Sequence, residues 1–270
     1  MTTAGCSNLY QALRAALQET GATAKCVLAR ELRERWQDGS LSRQDDGDIL
    51  DFDEPGRPRH PVLVDPREVP RRSLTSEHGR VVMLHAFAHI EFNAINLALD
   101  AAYRFRMMPD TFVGDWLRVA AEEADHFELI DAYLRELGSS YGEFPAHNGL
   151  WDMVCKTRDD VLHRMALVPR VMEARGLDVT PGLMRRFADI GDQRAVSILQ
   201  TIYDEEIGHV RIGNRWFHYC CEQRQLDPRE TFRGLIDQYF SGRLRGPFNH
   251  PARIEAGFDE DELTMLENSL

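Results

Sequence analysis

Glu206 and His209 form a Glu-x-x-His pair inside Asp204-Glu205-Glu206-Ile207-Gly208-His209. On an α-helix three residues turn by about 300°, so the carboxylate and the imidazole share one face and can ligate one cation. Nearly the same hexad stands earlier, Ala121-Glu122-Glu123-Ala124-Asp125-His126. A single pair is a weak signal, because Glu and His are common on helices. Two copies inside long apolar-periodic stretches are a much stronger one. Helical bundles that hold two metal ions use two such helices and one Glu from each of two more. Those glutamates are present: Glu91 lies 32 residues before Glu123, and Glu173 lies 33 residues before Glu206. The chain therefore reads as two helical hairpins, each offering Glu and then Glu-x-x-His.

Helices must aim these groups at one another. The first, over 76–105, places Leu84, Phe87, Ala88, Ala94, Ile95, Ala98, Leu99 and Ala102 within about 80° of Glu91. A carboxylate in an apolar stripe is costly unless it is paired or bound to metal. His85 and His89 point roughly 120–160° away from Glu91, as a second metal pair or as structural or surface residues. The second helix spans 110–137. Trp116, Val119, Ala120, Phe127, Ile130 and Leu134 share the face of Glu123, which assigns Glu122 outward or to a supporting position, and Tyr133 borders the core. The third helix, over 158–175 and ending at Gly176, carries Pro169 one turn before Glu173, so it bends there or restarts. Arg170 beside it can pair with a carboxylate or with substrate. The fourth, over 181–222 with a break near Gly191, carries apolar company around both Glu205 and Glu206. The repeat selects Glu206. Glu205, as an extra ligand or an acceptor for His209, and Tyr203, as a hydrogen-bonding or redox residue or as ordinary core, are the catalytic candidates. Asp125 and Asp204 are further supporting candidates.

Around these helices the chain divides into three parts. Residues 1–75 read as two short amphipathic helices, over 8–19 and 23–37, and an extended arm, packed on the main body. Pro55, Pro58, Pro61, Pro66 and Pro70 keep the arm from helix, and it carries Arg57, Arg59, Arg67, Arg71, Arg72 and His60 at the surface. Those arginines form a solvated, salt-bridged surface or a patch for an anionic partner. Residues 76–223 hold the four long helices and the dinuclear site. A Gly/Ser/Pro-rich loop over 138–145 and a short helix over 148–157 lie between the hairpins. Residues 224–270 read as a last helix over 229–239 and a tail that wraps the body or mediates contacts.

The net charge of −12 over 270 residues argues against a general nucleic-acid or anionic-membrane binder. Cys6, Cys26, Cys155, Cys220 and Cys221 form no Cys-x-x-Cys motif, and their odd number suits a reducing compartment. The N-terminus lacks the apolar core of a signal peptide, and no run approaches about 18 apolar residues. No membrane span is expected, and a cytoplasmic location follows by default. Carboxylate and imidazole donors suit iron or manganese rather than a thiolate or iron–sulfur site.

The set Glu91, Glu123/His126, Glu173 and Glu206/His209 resembles the ferritin-like di-iron carboxylate superfamily. The words His85-Ala-Phe-Ala-His-Ile-Glu91, Glu122-Glu-Ala-Asp-His126 and Asp204-Glu-Glu-Ile-Gly-His209 make the chain similar to the bacterial domain of unknown function 455 family, over roughly residues 5–240. The resemblance implies an all-α, ferritin-like four-helix bundle holding two Fe ions, or Mn or a mixed Mn/Fe pair. Glu123 and Glu206 would bridge, and Glu91 and Glu173 would be terminal. It further implies activation of O2 or peroxide, in an oxygenase or oxidase acting on a small organic substrate. A related tRNA-hydroxylase branch supports the oxygenase reading, while the net charge weakens a nucleic-acid substrate. Iron handling or peroxide detoxification is the alternative. The long arm and tail speak against a storage cage, and no four-cysteine electron-transfer module is present. A metal-binding interaction protein without catalysis is the third reading. An external electron donor and a homodimer remain open, as do the substrate and the choice of Fe or Mn.

Overall fold

The computed structural model describes residues 7–44, 47–70, 73–240 and 244–268. Cys6, Arg71 and Arg72 fall outside the described residues. The protein is all-α, with only two short strands among the described residues. Its contacts divide it into two compact units, Met1–Cys155 and Lys156–Leu270.

The first unit begins with β1 (Ser7–Asn8) and α1 (Leu9–Gln18), where Asn8 Oδ1 accepts the Gln11 N–H and starts the helix. Next come α2 (Ala22–Gln37) and β2 (Leu41–Ser42), which pairs with β1 in parallel, Ser7 opposite Leu41. The arm then crosses the unit, held mostly by its backbone. The Gly56 N–H donates to Leu17 O (2.6 Å), Val64 N–H to Ala146 O (2.8 Å), Trp151 Nε1 to Asp53 O (3.0 Å) and Leu50 N–H to Tyr103 Oη (3.0 Å). Arg57 is turned into its own arm, onto Glu54 and the Pro58 and Pro61 carbonyls, while His60 is exposed.

Helices α3 (Glu77–Arg104) and α4 (Asp110–Glu136) form the central hairpin, and Ser76 Oγ caps α3 at the Gly79 N–H (3.1 Å). Helix α2 lies on the outer face of α4, with Arg30 on Asp125 (2.8 Å) and Glu128 (2.9 Å). Buried Lys25 of α2 donates to Leu17 O (3.2 Å) and to Asn96 Oδ1 of α3, and burial lowers its pKa to about 7. A short helix, α5 (Gly149–Lys156), follows the loop after α4. The expectation about membrane length needs one correction, because α3 contains an 18-residue window long and apolar enough to cross a membrane. Of that window 72% is buried inside the protein, the property of a core helix.

In the second unit the expected third helix is replaced by three consecutive pieces. These are α6 (Val161–Leu167), a π-helical turn (Val168–Glu173) and α7 (Ala174–Asp189). The bend expected at Pro169 takes the form of this wide turn, in which the Ala174 N–H donates to Pro169 O. The helix does not stop at Gly176, and the segment from Pro181 continues it rather than opening the next one. Pro181 has no N–H for the Leu177 carbonyl, and that carbonyl accepts instead from Asn249 Nδ2 (3.0 Å). The break near Gly191 is present: Gly191 has φ +79°, and Asp192 caps α8 (Gln193–Gln223) at the Ala195 N–H (3.0 Å). The short connection makes α7 and α8 antiparallel.

The tail is more ordered than the sequence suggested. After α9 (Pro228–Phe240), helices α10 (His250–Glu255) and α11 (Glu260–Asn268) follow, with α10 packed on α7 and α8. Two buried ion pairs fix them. Arg170 meets Glu262 (2.5 Å) while stacking on Phe217, Phe232 and Phe258, and Arg253 holds Asp178 with two bonds of 2.8 Å. Arg170 is thus committed to the tail.

Candidate metal centre

In the first unit α3 and α4 bring Glu91, Glu123 and His126 together in the interior, with Glu123 and His126 fully buried. One ligand atom from each lies within 4.8 Å of the others. His126 Nδ1 stands 3.3 Å from Glu123 Oε2 and 3.4 Å from Glu91 Oε2, so this nitrogen faces both carboxylates. The helical period selects the residues. Glu123 shares its face with buried Ala120, Phe127 and Ile130, whereas Glu122 turns to Arg33 (3.5 Å) and Arg118 (3.7 Å). Asp125 belongs to Arg30 and does not support the site.

The electrostatics of this trio are those of a cation site. Burial, and then the Glu123 charge, push the Glu91 carboxyl well above the usual carboxylate range, while His126 pulls the other way. Glu91 Oε2 is buried without a well-formed hydrogen bond. Two carboxylates held this close in a dry interior repel, and a divalent cation would relieve both the repulsion and the lost hydration. Oxygen and imidazole donors suit a divalent cation. The residues present therefore fit a bound metal ion.

In the second unit His209 Nδ1 lies 3.7 Å from Glu206 Oε1 on α8. Glu173 ends the π-turn, with both carboxylate oxygens shielded from solvent. The two catalytic candidates are placed elsewhere. Glu205 is on the exposed face of α8, and the Tyr203 hydroxyl accepts from Asn249 Nδ2 (2.9 Å), the same amide that satisfies Leu177. Asp204 accepts from Gln200 (2.7 Å). The side-chain angles left Glu205 and Glu206 unseparated, and the burial of the α8 faces separates them.

His85 and His89 are buried and clamp the loop after α4. The Gly142 N–H donates to His85 Nε2 (2.9 Å), and His89 Nδ1 meets the Tyr141 hydroxyl (2.9 Å). Tyr141 was not foreseen. Its N–H donates to Asp131 of α4 (3.0 Å), and its ring packs on Phe92 and Phe127, the neighbours of Glu91 and His126. The two histidines one turn apart, opposite Glu91, were the only sequence signal for this clamp. Cys26, Cys220 and Cys221 are free thiols.

A family described as "Protein of unknown function (DUF455)" matches residues 18–264. A Haemophilus influenzae protein, named only as uncharacterized, is 44% identical over 274 residues, covering 98% of this chain and 95% of that protein. No solved structure matches.

Proposed function

Because the chain belongs to the DUF455 family, whose description states no activity, we propose a function from the site: a ferritin-like, dinuclear-metal oxidoreductase. The reading is carried by the buried Glu91–Glu123–His126 cluster together with the recurrence of its pattern in Glu173, Glu206 and His209. One trio offers two carboxylates and one imidazole, enough for one ion. The two trios offer four carboxylates and two imidazoles, a donor set matched to two divalent ions, with iron first and manganese or a mixed pair next. Glu91, Glu123 and His126, and likewise Glu173, Glu206 and His209, would hold the ions. Bound ions would supply the electrons that activate O2 or peroxide. The chain's own residues would hold the ions through carboxylate oxygens and imidazole nitrogens, and the burial of Glu91, Glu123, His126 and His209 keeps bulk water from them. A small organic molecule is the proposed substrate, with an external electron donor and a cytoplasmic setting that the free thiols favour.

Protein purified from iron- and manganese-supplemented cells should consume O2 when its metals are reduced, and should convert a substrate in proportion. Peroxide consumption without a substrate would move the assignment to peroxide detoxification. Bound metal without consumption of either oxidant would leave a metal-binding interaction protein.

A further inference from the structure

We infer that Gly213 of α8 and Pro169 of the π-turn form a register pin that sets Glu173 level with His209. The inference rests on the dinuclear reading and assigns residues that position one of its two ions. A Cβ built on Gly213 would lie 2.3 Å from both Cβ and Cγ of Pro169, so the two helices touch at this level with no room for a side chain. Gly208, on the same helix, has nothing within 4 Å of the equivalent position. The close approach is therefore local to the Pro169 level.

Helical geometry carries this contact to the ligands. The π-turn leads through α7 into antiparallel α8. Four residues onward from Pro169 is Glu173, and four residues back from Gly213 is His209, so in antiparallel helices both lie to the same side of the contact. Fixing the first pair at van der Waals contact fixes the second pair side by side. The π-turn contributes the rotation: its i→i+5 bond, Ala174 N–H to Pro169 O, inserts one residue into the turn. That changes the direction in which Glu173 leaves the helix by about 100° relative to a regular α-turn. The first unit has the same level relation, Glu91 beside His126 at 3.4 Å, but Phe87 and Ile130 stand where the second has Pro169 and Gly213. At this level of the two hairpins, glycine stands in the second and not in the first.

The test is an anaerobic titration of the full chain with ferrous iron, followed by far-UV circular dichroism and thermal denaturation. Wild type should bind two ions. Gly213→Ala should bind the second ion at least about 10-fold more weakly, the scale of lost ligand orientation, while helix content persists. Gly208→Ala should titrate as wild type. Gly213→Ala with Pro169→Gly, which removes the facing Cβ and Cγ, should recover the second ion. A Gly213→Ala protein that loses thermal stability yet binds two ions as wild type does would overturn the pin. So would a double variant that keeps wild-type helix content and thermal stability without regaining the ion. Wild type that binds no iron would overturn the dinuclear reading itself, an outcome separate from both.

Discussion

The α3–α4 hairpin and the α6-to-α8 hairpin carry the same ligand pattern on different backbones. In the first, two regular helices aim Glu91, Glu123 and His126 inward, and neighbouring charges such as Glu122 are taken up by Arg33 and Arg118. In the second, Pro169 and Pro181 interrupt the regular hydrogen bonding, and residues distant in sequence complete the segment. Asn249 supplies the donor for Leu177 O, and Glu262 supplies the counter-charge for Arg170. The difference shows that one ligand pattern can be placed by local periodicity or by a tail that closes over a broken helix.

The largest effects should be common to both hairpins. Glu123→Ala and His209→Ala should each lose most of the bound metal by elemental analysis while the helices persist in far-UV circular dichroism. Wild-type stoichiometry in either variant would remove that residue from the site.

The next effect should separate the hairpins. Glu262→Ala leaves a fully buried Arg170 without its carboxylate and should cost about 3–5 kcal/mol in denaturant unfolding. Arg30→Ala breaks pairs whose side chains are 32% and 57% exposed, and should cost under about 1 kcal/mol. Equal losses would mean that the tail locks nothing that the surface pairs do not.

Asn249→Ala should cost about 1–3 kcal/mol, because the Leu177 carbonyl loses its donor and Tyr203 loses its partner. The loss should concentrate in α7, read as faster amide exchange there. Unchanged exchange in α7 would mean that the helix passes Pro181 without help from the tail.

The smallest effect is in pH dependence. The Glu91 carboxyl is raised in the folded, metal-free protein, so its stabilising protonated form is complete below the unfolded value of about 4.3 and is lost as pH rises through the folded value. Metal-free protein should weaken along that rise. Metal binding displaces the proton and should tighten over the same range, so the gap in melting temperature between loaded and metal-free protein should widen with pH. A gap constant from pH 5 to 8 would contradict the buried, protonated carboxyl.

The contrast also explains what was legible in the sequence. Helices α3 and α4 were readable to within a residue or two at each end, because Ser76, Pro109 and the apolar periodicity are local signals. The separation of Glu123 from Glu122 was readable for the same reason. The course of the chain from Gly176 to Asp189 was not. Pro181 looks like the start of a helix, and the group that lets the helix pass it, Asn249, is remote in sequence. Arg170 looked available to a carboxylate of the site or to a substrate, until Glu262 arrived from the tail. Glu205 and Glu206 had equally apolar neighbours by angle, so the angles could not separate them; the repeat selected Glu206, and the exposure of Glu205 agrees.

The central claim is that the repeated Glu and Glu-x-x-His pattern holds two metal ions, and metal content tests it most directly. Elemental analysis of wild-type protein from iron- and manganese-supplemented cells should give about two ions per chain, mainly iron, as the two-ion carboxylate donor set requires. No metal after anaerobic reconstitution with ferrous iron would contradict it.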